Sequence, residues 1–299
     1  MLDKNQLNNY LSTLKVKEGT ILSLDKCDTL FENRLIDKLE AKHLLKKGIK
    51  QLTKMQDKLY ADNRYSVLIV LQAMDAAGKD GAIKHVMSGF NPQGVKVTSF
   101  KAPSVEEKDH DYFWRHYKAL PGRGEIGIFN RSHYENVLVT RVHPEFIMGE
   151  NIPGITTVKD IDESFWRNRF EQINRFEKNL YENGTRILKF FLHLSKEEQK
   201  VRFLERIDNP TKNWKLSAAD AKERKLWDKY QRAYAEMISA TSKEYAPWYI
   251  LPADDKPLTR ICIATAIHSE FKKLNLKYPE LSEEDRQKLL QAKKELLSE

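Results

Sequence analysis

Apolar residues along the chain follow two patterns, and the two patterns alternate. Unbroken apolar runs are typical of strands that are buried on both faces of a parallel sheet. Residues 65–72 form such a run, and four further stretches of the chain also predict strands. The predicted strands cover residues 65–72, 94–100, 125–129, 185–194 and 248–251.

Between these runs, apolar residues recur every three or four positions, as on amphipathic helices. This spacing predicts helices over residues 31–60, 83–87 and 109–120. A longer helix with Trp166 and Phe176 on one face ends near Gly184, and another begins at Ser195. The first ~30 residues have no clear period and predict an arm. The stripe of the first helix consists of Ile36, Leu39, Leu45, Ile49, Leu52, Met55 and Leu59.

Strands that alternate with helices predict an α/β fold with a parallel sheet flanked by helices. The chain contains no internal repeat or low-complexity linker, so we expect residues 1–299 to form a single domain. An N-terminal helical extension covers about residues 1–62. A polar, basic stretch at about 206–226 lies between two predicted helices, and we expect it to form a mobile lid.

The segment 73–80, AMDAAGKD, follows a predicted buried strand and opens a predicted helix, which is the context of a phosphate-binding P-loop. Gly78 allows the backbone to approach a phosphate closely, and amides at a helix N-terminus point toward an anion. Lys79 brings an ammonium group to phosphate oxygens. Ala73 and Asp80 depart from the usual glycine and hydroxyl residue. With Asp75, Asp80 places two carboxylates near an anion, and this favours a bound Mg²⁺.

A second group of polar residues follows the predicted strand 125–129. Asn130 stands where many P-loop enzymes have a metal-binding aspartate, and Arg131 can bind phosphate through two N–H groups. Glu135 falls in the first turn of the next helix and can supply the missing charge. Ligands of open α/β sheets bind beyond the carboxyl ends of the strands, where both groups lie.

Charge and composition narrow the partners of the protein. The chain carries 51 Lys+Arg against 43 Asp+Glu, a net charge of +8, which favours a polyanionic partner. No apolar stretch approaches the ~20 residues that cross a bilayer, and no secretory signal is apparent. Cys27 and Cys262 have no metal or redox spacing. These observations predict a cytoplasmic protein without a membrane partner.

Five segments of the chain closely resemble family-2 polyphosphate kinases. The similarity covers about residues 36–271, and the five segments occur in the same order as in that family. They are 71–81 (LQAMDAAGKDG), 84–94 (KHVMSGFNPQG), 99–103 (SFKAP), 128–135 (IFNRSHYE) and 208–215 (DNPTKNWK).

This resemblance implies a thymidylate-kinase-like P-loop core with a helical lid, and reversible phosphate transfer between inorganic polyphosphate and nucleotides. It implies Mg²⁺, with Mn²⁺ as an alternative, and a homo-oligomer, either a dimer or a tetramer. Asn130 and Ala73 resemble the third class of the family, which phosphorylates nucleoside mono- and diphosphates. The implied metal ligands are Asp75 and Glu135, and the implied catalytic residues are Asp75, Lys79, Arg131 and Glu135. The implied phosphate-binding residues are Ala76, Ala77, Gly78, Lys79, Asp80, Lys84, Asn130, Arg131, Arg206, Lys212 and Lys215.

Two other functions compete with this interpretation. An ATP-dependent nucleoside monophosphate kinase would have the same core, but the basic lid favours a longer anion than ATP. A nucleic-acid-binding protein would interleave aromatic residues with a basic stripe, whereas Trp166 and Phe170 follow a helical core period. We therefore expect no nucleic-acid partner.

Overall fold

The computed structural model describes residues 4–31 and 38–299, and its centre is a five-stranded sheet. All five predicted strands are confirmed, each within one residue at both ends. The fold is therefore the predicted α/β arrangement. The strands are β1 (Ser66–Ala73), β2 (Val95–Ser99), β3 (Ile126–Asn130), β4 (Thr185–His193) and β5 (Trp248–Pro252).

Every neighbouring pair in the sheet is parallel, and the strand order is β2-β3-β1-β4-β5. β1 lies in the middle and is buried along its whole length. The chain leaves β1 toward β2 and later returns past it to β4, so the direction of winding reverses at β1. Ligand sites of such sheets lie at this reversal, beyond the carboxyl ends of the strands.

Within residues 4–31 and 38–299, twelve α-helices accompany the sheet. Successive residues of β1 point to opposite faces, so Val67 and Ile69 join one apolar cluster while Leu68 and Val70 join another. α2, α3 and α11 cover the first face, and α6, α7 and α10 cover the second. The helices are α1 (Lys4–Thr13), α2 (Lys38–Asp62), α3 (Lys79–Val86), α4 (Val105–Lys108), α5 (Trp114–Tyr117), α6 (Glu135–Val142), α7 (Glu163–Glu182), α8 (Lys196–Asp208), α9 (Ala218–Glu223), α10 (Trp227–Thr241), α11 (Lys256–Lys273) and α12 (Glu283–Ser298).

The N-terminal segment differs from the predicted arm. After α1 the chain runs antiparallel to β5: the N–H of Val16 donates to Trp248 O at 2.9 Å, and the N–H of Ile250 donates to Leu14 O at 2.9 Å. Leu11 is buried in the core. The segment therefore covers the open edge of the sheet, which an unpartnered strand would expose.

The described part of the predicted helix 31–60 forms α2 from Lys38 onward, and residues 32–37 lie outside the described residues. Leu52 and Leu59 are fully buried, as the stripe predicts, but the side chain of Leu39 is 76% exposed. Ile36 lies outside the described residues. The stripe thus faces the core in the second half of the helix.

The predicted helix 109–120 is wrong over most of its length. Within it the structure has only the short helix α5, since α4 already ends at Lys108. The carboxylate of Asp111 accepts a 2.8 Å hydrogen bond from the N–H of Phe113. Such a local bond competes with helical hydrogen bonding and favours a turn.

Residues 206–226 contain the end of α8, a 3-10 turn at Asn213–Lys215 and helix α9. Trp214 is 78% exposed there. Both cysteines are free, and Cys262 is buried. In the part of the chain that the structure describes, no helix is long and apolar enough to span a bilayer.

Candidate active site

The P-loop connects the end of β1 to the first residue of α3. Lys79 folds back over it, and its Nζ donates a 2.7 Å hydrogen bond to Ala73 O. Burial lowers the pKa of Lys79, while the carboxylates of Asp75 and Glu135 act in the opposite direction. An ammonium group held inside a loop beside carboxylates is placed to meet an incoming phosphate.

Two residues of the loop have left-handed backbone conformations. Gly78 precedes α3 with a φ of 104°, which glycine adopts at little cost. Ala76 has a φ of 64° although it carries a Cβ, a conformation that costs of order 1–3 kcal/mol. Ala73 does not need a positive φ, so alanine can replace the usual glycine there, as the sequence predicts.

Asn130 ends β3 beside the first turn of α3. Its Nδ2 donates a 2.8 Å hydrogen bond to Asp80 Oδ1. The two departures from the common P-loop pattern, Asp80 and Asn130, are therefore partners. An aspartate at position 130 would oppose one carboxylate with another.

Arg131 follows with a left-handed φ of 62°, and its Nη2 lies 3.4 Å from Asp75 Oδ1. Both side chains remain partly open to solvent, with exposed fractions of 46% and 37%. Partial burial opposes the charge of Arg131, but the carboxylates of Glu135 and Asp75 outweigh it and raise its pKa. The structure thus brings Arg131 to the P-loop, as the sequence predicts.

Glu135 is the first residue of α6. Burial raises the pKa of its carboxyl group, and Arg131 and Lys79 act against this rise. Asp75 pushes the pKa further up, so the two carboxylates repel each other. A cation between them would relieve this repulsion.

These two carboxylates fit a Mg²⁺ site that is completed by substrate. Mg²⁺ is usually held by one or two carboxylates together with phosphate oxygens and waters. Within residues 4–31 and 38–299, no group of three or more His, Cys, Asp or Glu side chains could hold a metal ion by itself. Asp75 and Glu135 therefore match a shared metal better than a structural one.

A buried polar network supports the loop between β3 and α6. Lys189 Nζ donates to Glu177 Oε2 at 2.6 Å and to Tyr134 Oη at 2.8 Å, and Tyr134 Oη donates to Glu177 Oε1 at 2.7 Å. His133 Nε2 lies 3.3 Å from the same carboxylate. Burial lowers the pKa of Lys189 to about 8, against the attraction of Glu177. His133 thus serves packing, and its neighbours Arg131 and Glu135 face the site.

A cavity of about 430 Å³ opens beside this loop. Arg131, Ser132 and Glu135 line one side of it, so the cavity is continuous with the P-loop site. Phe100 and His116 line another part. Its volume lies within the ~300–1,000 Å³ that is common for small-molecule sites. The cavity leaves no pattern in the sequence, because its lining is assembled from the segment after β2, from α6 and from the 3-10 segment that follows α6.

The predicted lid bases lie in a separate region. Arg206 Nη1 donates to Lys215 O at 3.2 Å, and the ammonium of Lys215 lies 4.9 Å from the centre of the Trp214 ring. Lys212 immediately precedes the 3-10 turn Asn213–Lys215. Lys84 is exposed in the last turn of α3. The structure brings Asp75, Lys79, Asp80, Asn130, Arg131 and Glu135 together, and places Lys84, Arg206, Lys212 and Lys215 outside this group.

Sequence reasoning missed two residues of α8 that hold the P-loop from behind. Gln199 Nε2 donates to Asp75 O at 3.0 Å, and Arg202 Nη1 donates to Ala76 O at 3.0 Å. Both side chains are buried. The capping signal at Ser195 is only half realised, because Glu198 turns its carboxylate to Arg202 Nε at 2.8 Å. The four-residue spacing of Glu198 and Arg202 was visible in the sequence, but their burial was not.

Known proteins match this chain over regions that include every residue of the site. The profile of a family described as Polyphosphate kinase 2 (PPK2) matches residues 35–279. An ADP-polyphosphate phosphotransferase of Rhodopseudomonas palustris is 48% identical over 283 residues, which are 95% of this chain and 97% of the relative. An AMP/ADP-polyphosphate phosphotransferase of Meiothermus ruber is 45% identical over 231 residues, 77% of this chain and 81% of the relative. The crystal structure of Polyphosphate Kinase 2 from Arthrobacter aurescens TC1 superposes with a TM-score of 0.83 at 37% identity, over 93% of this chain and 95% of that one.

Proposed function

Since this chain belongs to the polyphosphate kinase 2 family, we propose that it catalyses the reversible, Mg²⁺-dependent transfer of phosphate from inorganic polyphosphate to AMP and ADP. The family resemblance of the five sequence segments is thereby confirmed. One observation carries the site assignment: Lys79 and Arg131, from the ends of two adjacent strands, converge on Asp75.

The donor for nucleotide phosphorylation in this proposal is polyphosphate, and ATP donates phosphate only to polyphosphate, in the reverse reaction. Both relatives named above have polyphosphate in their names, and this agrees with the basic lid of the present chain. The alternative, an ATP-dependent nucleoside monophosphate kinase, has no observation in its favour. Trp166 and Phe176 are buried in the core, as their helical spacing predicts, and the absence of a nucleic-acid partner stays a prediction.

In the proposed reaction, Lys79, Arg131 and the free amides at the start of α3 hold the transferred phosphate. Phosphoryl transfer depends on in-line positioning and on neutralisation of charge more than on covalent chemistry. Asp75 and Glu135 would hold Mg²⁺, which would neutralise charge that develops on the phosphate oxygens. The acceptor oxygen already belongs to a phosphate, so the reaction needs no strong base.

The acceptor nucleotide binds, in this proposal, in the cavity beside the loop. Its phosphate end would lie near Arg131 and Glu135, where the cavity meets the P-loop. Glu135 stands on α6, beyond the strand end that Asn130 occupies. We propose that this shift of the metal-binding acid leaves room for acceptors of two lengths, so that both AMP and ADP are phosphorylated.

Lys84, Arg206, Lys212 and Lys215 would bind more distant phosphates of the polyphosphate chain. The +8 net charge would steer this polyanion to the protein. Assembly into a dimer or tetramer and a cytoplasmic location remain predictions of the sequence analysis.

A turnover assay tests the proposal directly. Purified protein is given polyphosphate as the sole donor with AMP or ADP in separate reactions, and with ATP plus AMP in a third. We expect nucleotide formation in the first two reactions, and its complete loss in excess chelator. Transfer of phosphate from ATP but not from polyphosphate would overturn the donor assignment. Phosphorylation of ADP alone would overturn only the proposal that acceptors of two lengths, AMP and ADP, are both used. Full turnover in chelator would remove the metal role of Asp75 and Glu135.

A further inference from the structure

The back of the P-loop is bound to helix α8 through three consecutive carbonyl groups. Gln199 Nε2 donates to Asp75 O at 3.0 Å. Arg202 Nη1 donates to the next two, Ala76 O at 3.0 Å and Ala77 O at 3.1 Å. No other helix described above makes such a series of contacts with this loop.

The guanidinium group of Arg202 has no N–H left for a substrate. Its Nη2 donates to Ala253 O at 2.8 Å and to Asp254 O at 3.2 Å, and its Nε donates to Glu198 at 2.8 Å. With the two loop carbonyls, these partners match all five N–H donors of an arginine. The side chain is 4% exposed. A basic residue next to a phosphate loop is ordinarily taken for a phosphate ligand, but this one binds only protein oxygens.

The direction of these carbonyls fixes the direction of the amides that follow them. In a planar trans peptide the C=O and the next N–H point in opposite directions. When Ala77 O faces Arg202, the N–H of Gly78 faces the opposite side of the loop, where an anion would lie. The N–H of Ala77 closes a turn onto Met74 O at 3.3 Å. The same contacts hold Ala76 in its left-handed conformation, with a φ of 64°.

The lid is connected to the same contacts. Arg224, which follows α9, donates from Nη1 to Gln199 Oε1 at 2.8 Å and to Lys196 O at 2.7 Å. The amide of Gln199 therefore accepts from the lid at one end and donates to the P-loop at the other. A movement of the lid that displaces Arg224 would change the partner of Gln199.

We propose that Arg202 and Gln199 are positioning residues: they orient the P-loop peptides so that the Gly78 amide meets the transferred phosphate, without contacting substrate themselves. The inference rests on the proposed polyphosphate-dependent transfer. In this proposal the buried Arg202 affects the rate of transfer but does not affect the binding of polyphosphate.

The test compares Arg202→Lys and Gln199→Glu with the unmodified protein and with Gln56→Met. Gln56 is buried and binds the main chain of Asn91 at 2.7 Å and 2.8 Å, far from the carboxyl ends of the strands. Its variant controls for a loss of stability alone. Gln199→Glu keeps the size of the side chain and the acceptor for Arg224, but loses the donor to Asp75 O, so it remains informative if Arg202→Lys does not fold.

We expect Arg202→Lys to lower kcat by about 10- to 100-fold, because small misplacements of reacting groups have effects of this size. Gln199→Glu should lower kcat in the same direction by a smaller factor. The KM for polyphosphate and its dependence on salt should stay within twofold of the unmodified protein. Gln56→Met should lower Tm while its kcat, measured well below Tm, stays unchanged.

Two results would overturn the inference. A rise in the KM for polyphosphate with a flatter salt dependence would show that Arg202 is an anion ligand. If both α8 variants have the same kcat as Gln56→Met, then the contacts of Arg202 and Gln199 with the P-loop only stabilise the fold. If the unmodified protein itself fails to use polyphosphate, the proposed function fails, and the variants are then compared by their binding of tripolyphosphate. In that comparison, an unchanged affinity for tripolyphosphate with an unchanged salt dependence supports the inference. A weaker affinity with a flatter salt dependence overturns it.

Discussion

Asn130 donates a 2.8 Å hydrogen bond from Nδ2 to Asp80 Oδ1 and so joins the end of β3 to the first turn of α3. The bond requires one amide and one carboxylate, but it does not require them in this order. The effects of substitutions at these two positions on activity should therefore depend on each other, although the positions lie fifty residues apart.

Asn130→Asp should lower kcat/KM by about tenfold or more, because it sets two carboxylates at hydrogen-bonding distance beside the phosphate. A tenfold loss corresponds to about 1.4 kcal/mol. Exchange of the pair, Asp80→Asn with Asn130→Asp, restores one amide and one carboxylate and should recover most of the activity. Asp80→Asn alone controls for the change of charge. A double variant no better than Asn130→Asp would show that the hydrogen bond is irrelevant to transfer.

Lys79→Ala should reduce kcat by about 100-fold or more, since loss of a single preorganised charge-stabilising group commonly has this effect. The fold should survive, because Lys79 Nζ contacts the loop and not the apolar core. Lys54→Ala, on the exposed side of α2, is the matched control and should behave as the unmodified protein. Circular dichroism and turnover with polyphosphate and ADP provide the two measurements. Near-normal turnover of the Lys79 variant would contradict the P-loop assignment.

Glu135→Gln should stabilise the metal-free protein at pH 8 while it lowers activity. Burial raises the pKa of Glu135 in the folded state above its ordinary value of 4.5, so the folded protein binds this proton more tightly than the unfolded chain. The stabilisation from this group is then complete below pH 4.5 and is lost as the pH rises through the raised pKa. Glutamine mimics the protonated form at every pH.

The measurement is Tm in chelator from pH 5 to pH 8. We expect the glutamine variant to melt roughly 2 °C or more above the unmodified protein at pH 8, since about 1 kcal/mol shifts Tm by ~2–4 °C in domains of moderate size. The difference should shrink toward pH 5. Glu280→Gln changes an exposed carboxylate and should leave Tm unchanged. A variant of Glu135 that melts lower than the unmodified protein at pH 8 would argue against the buried charge.

Lys212→Ala combined with Lys215→Ala should raise the KM for polyphosphate far more than the KM for nucleotide. Both lysines lie in the predicted lid, beside the exposed Trp214. By analogy with counterion release from nucleic acids, the slope of log affinity against log salt should fall by roughly 1–2. Lys293→Ala with Lys294→Ala removes two exposed charges from α12 and serves as the control. An unchanged slope in the lid variant would place the donor elsewhere.

The sequence predicted the strands better than the short helices, for a physical reason. A strand buried on both faces, such as β1, is apolar along most of its length, so its sequence is recognisable without knowledge of which residues face which side. The helix predicted over 109–120 failed because one side chain, Asp111, accepts from the main chain of Phe113 and forms a turn. A single local hydrogen bond of this kind leaves the apolar pattern unchanged.

Within the site, sequence reasoning identified the residues that face the phosphate and missed those behind it. Lys79 and Arg131 belong to short motifs whose positions after strands predict where they meet. Arg202 approaches the P-loop from a helix more than a hundred residues later, and its five partners are four carbonyls and one carboxylate. Every residue has a main-chain oxygen, so residue types do not indicate which of them Arg202 binds. The partnership of Asp80 and Asn130 was hidden as well, although each residue was noted as a departure from the common pattern.

The pairing of the N-terminal segment with β5 has a consequence for the synthesis of the protein. Residues 14–16 are made early on the ribosome, but their hydrogen-bond partners, Trp248 and Ile250, are among the last parts of the sheet to be made. The segment therefore cannot make these hydrogen bonds until β5 has emerged from the ribosome. Contacts between such distant parts of a chain form slowly. The edge of the sheet can therefore close only after β5 has been synthesised.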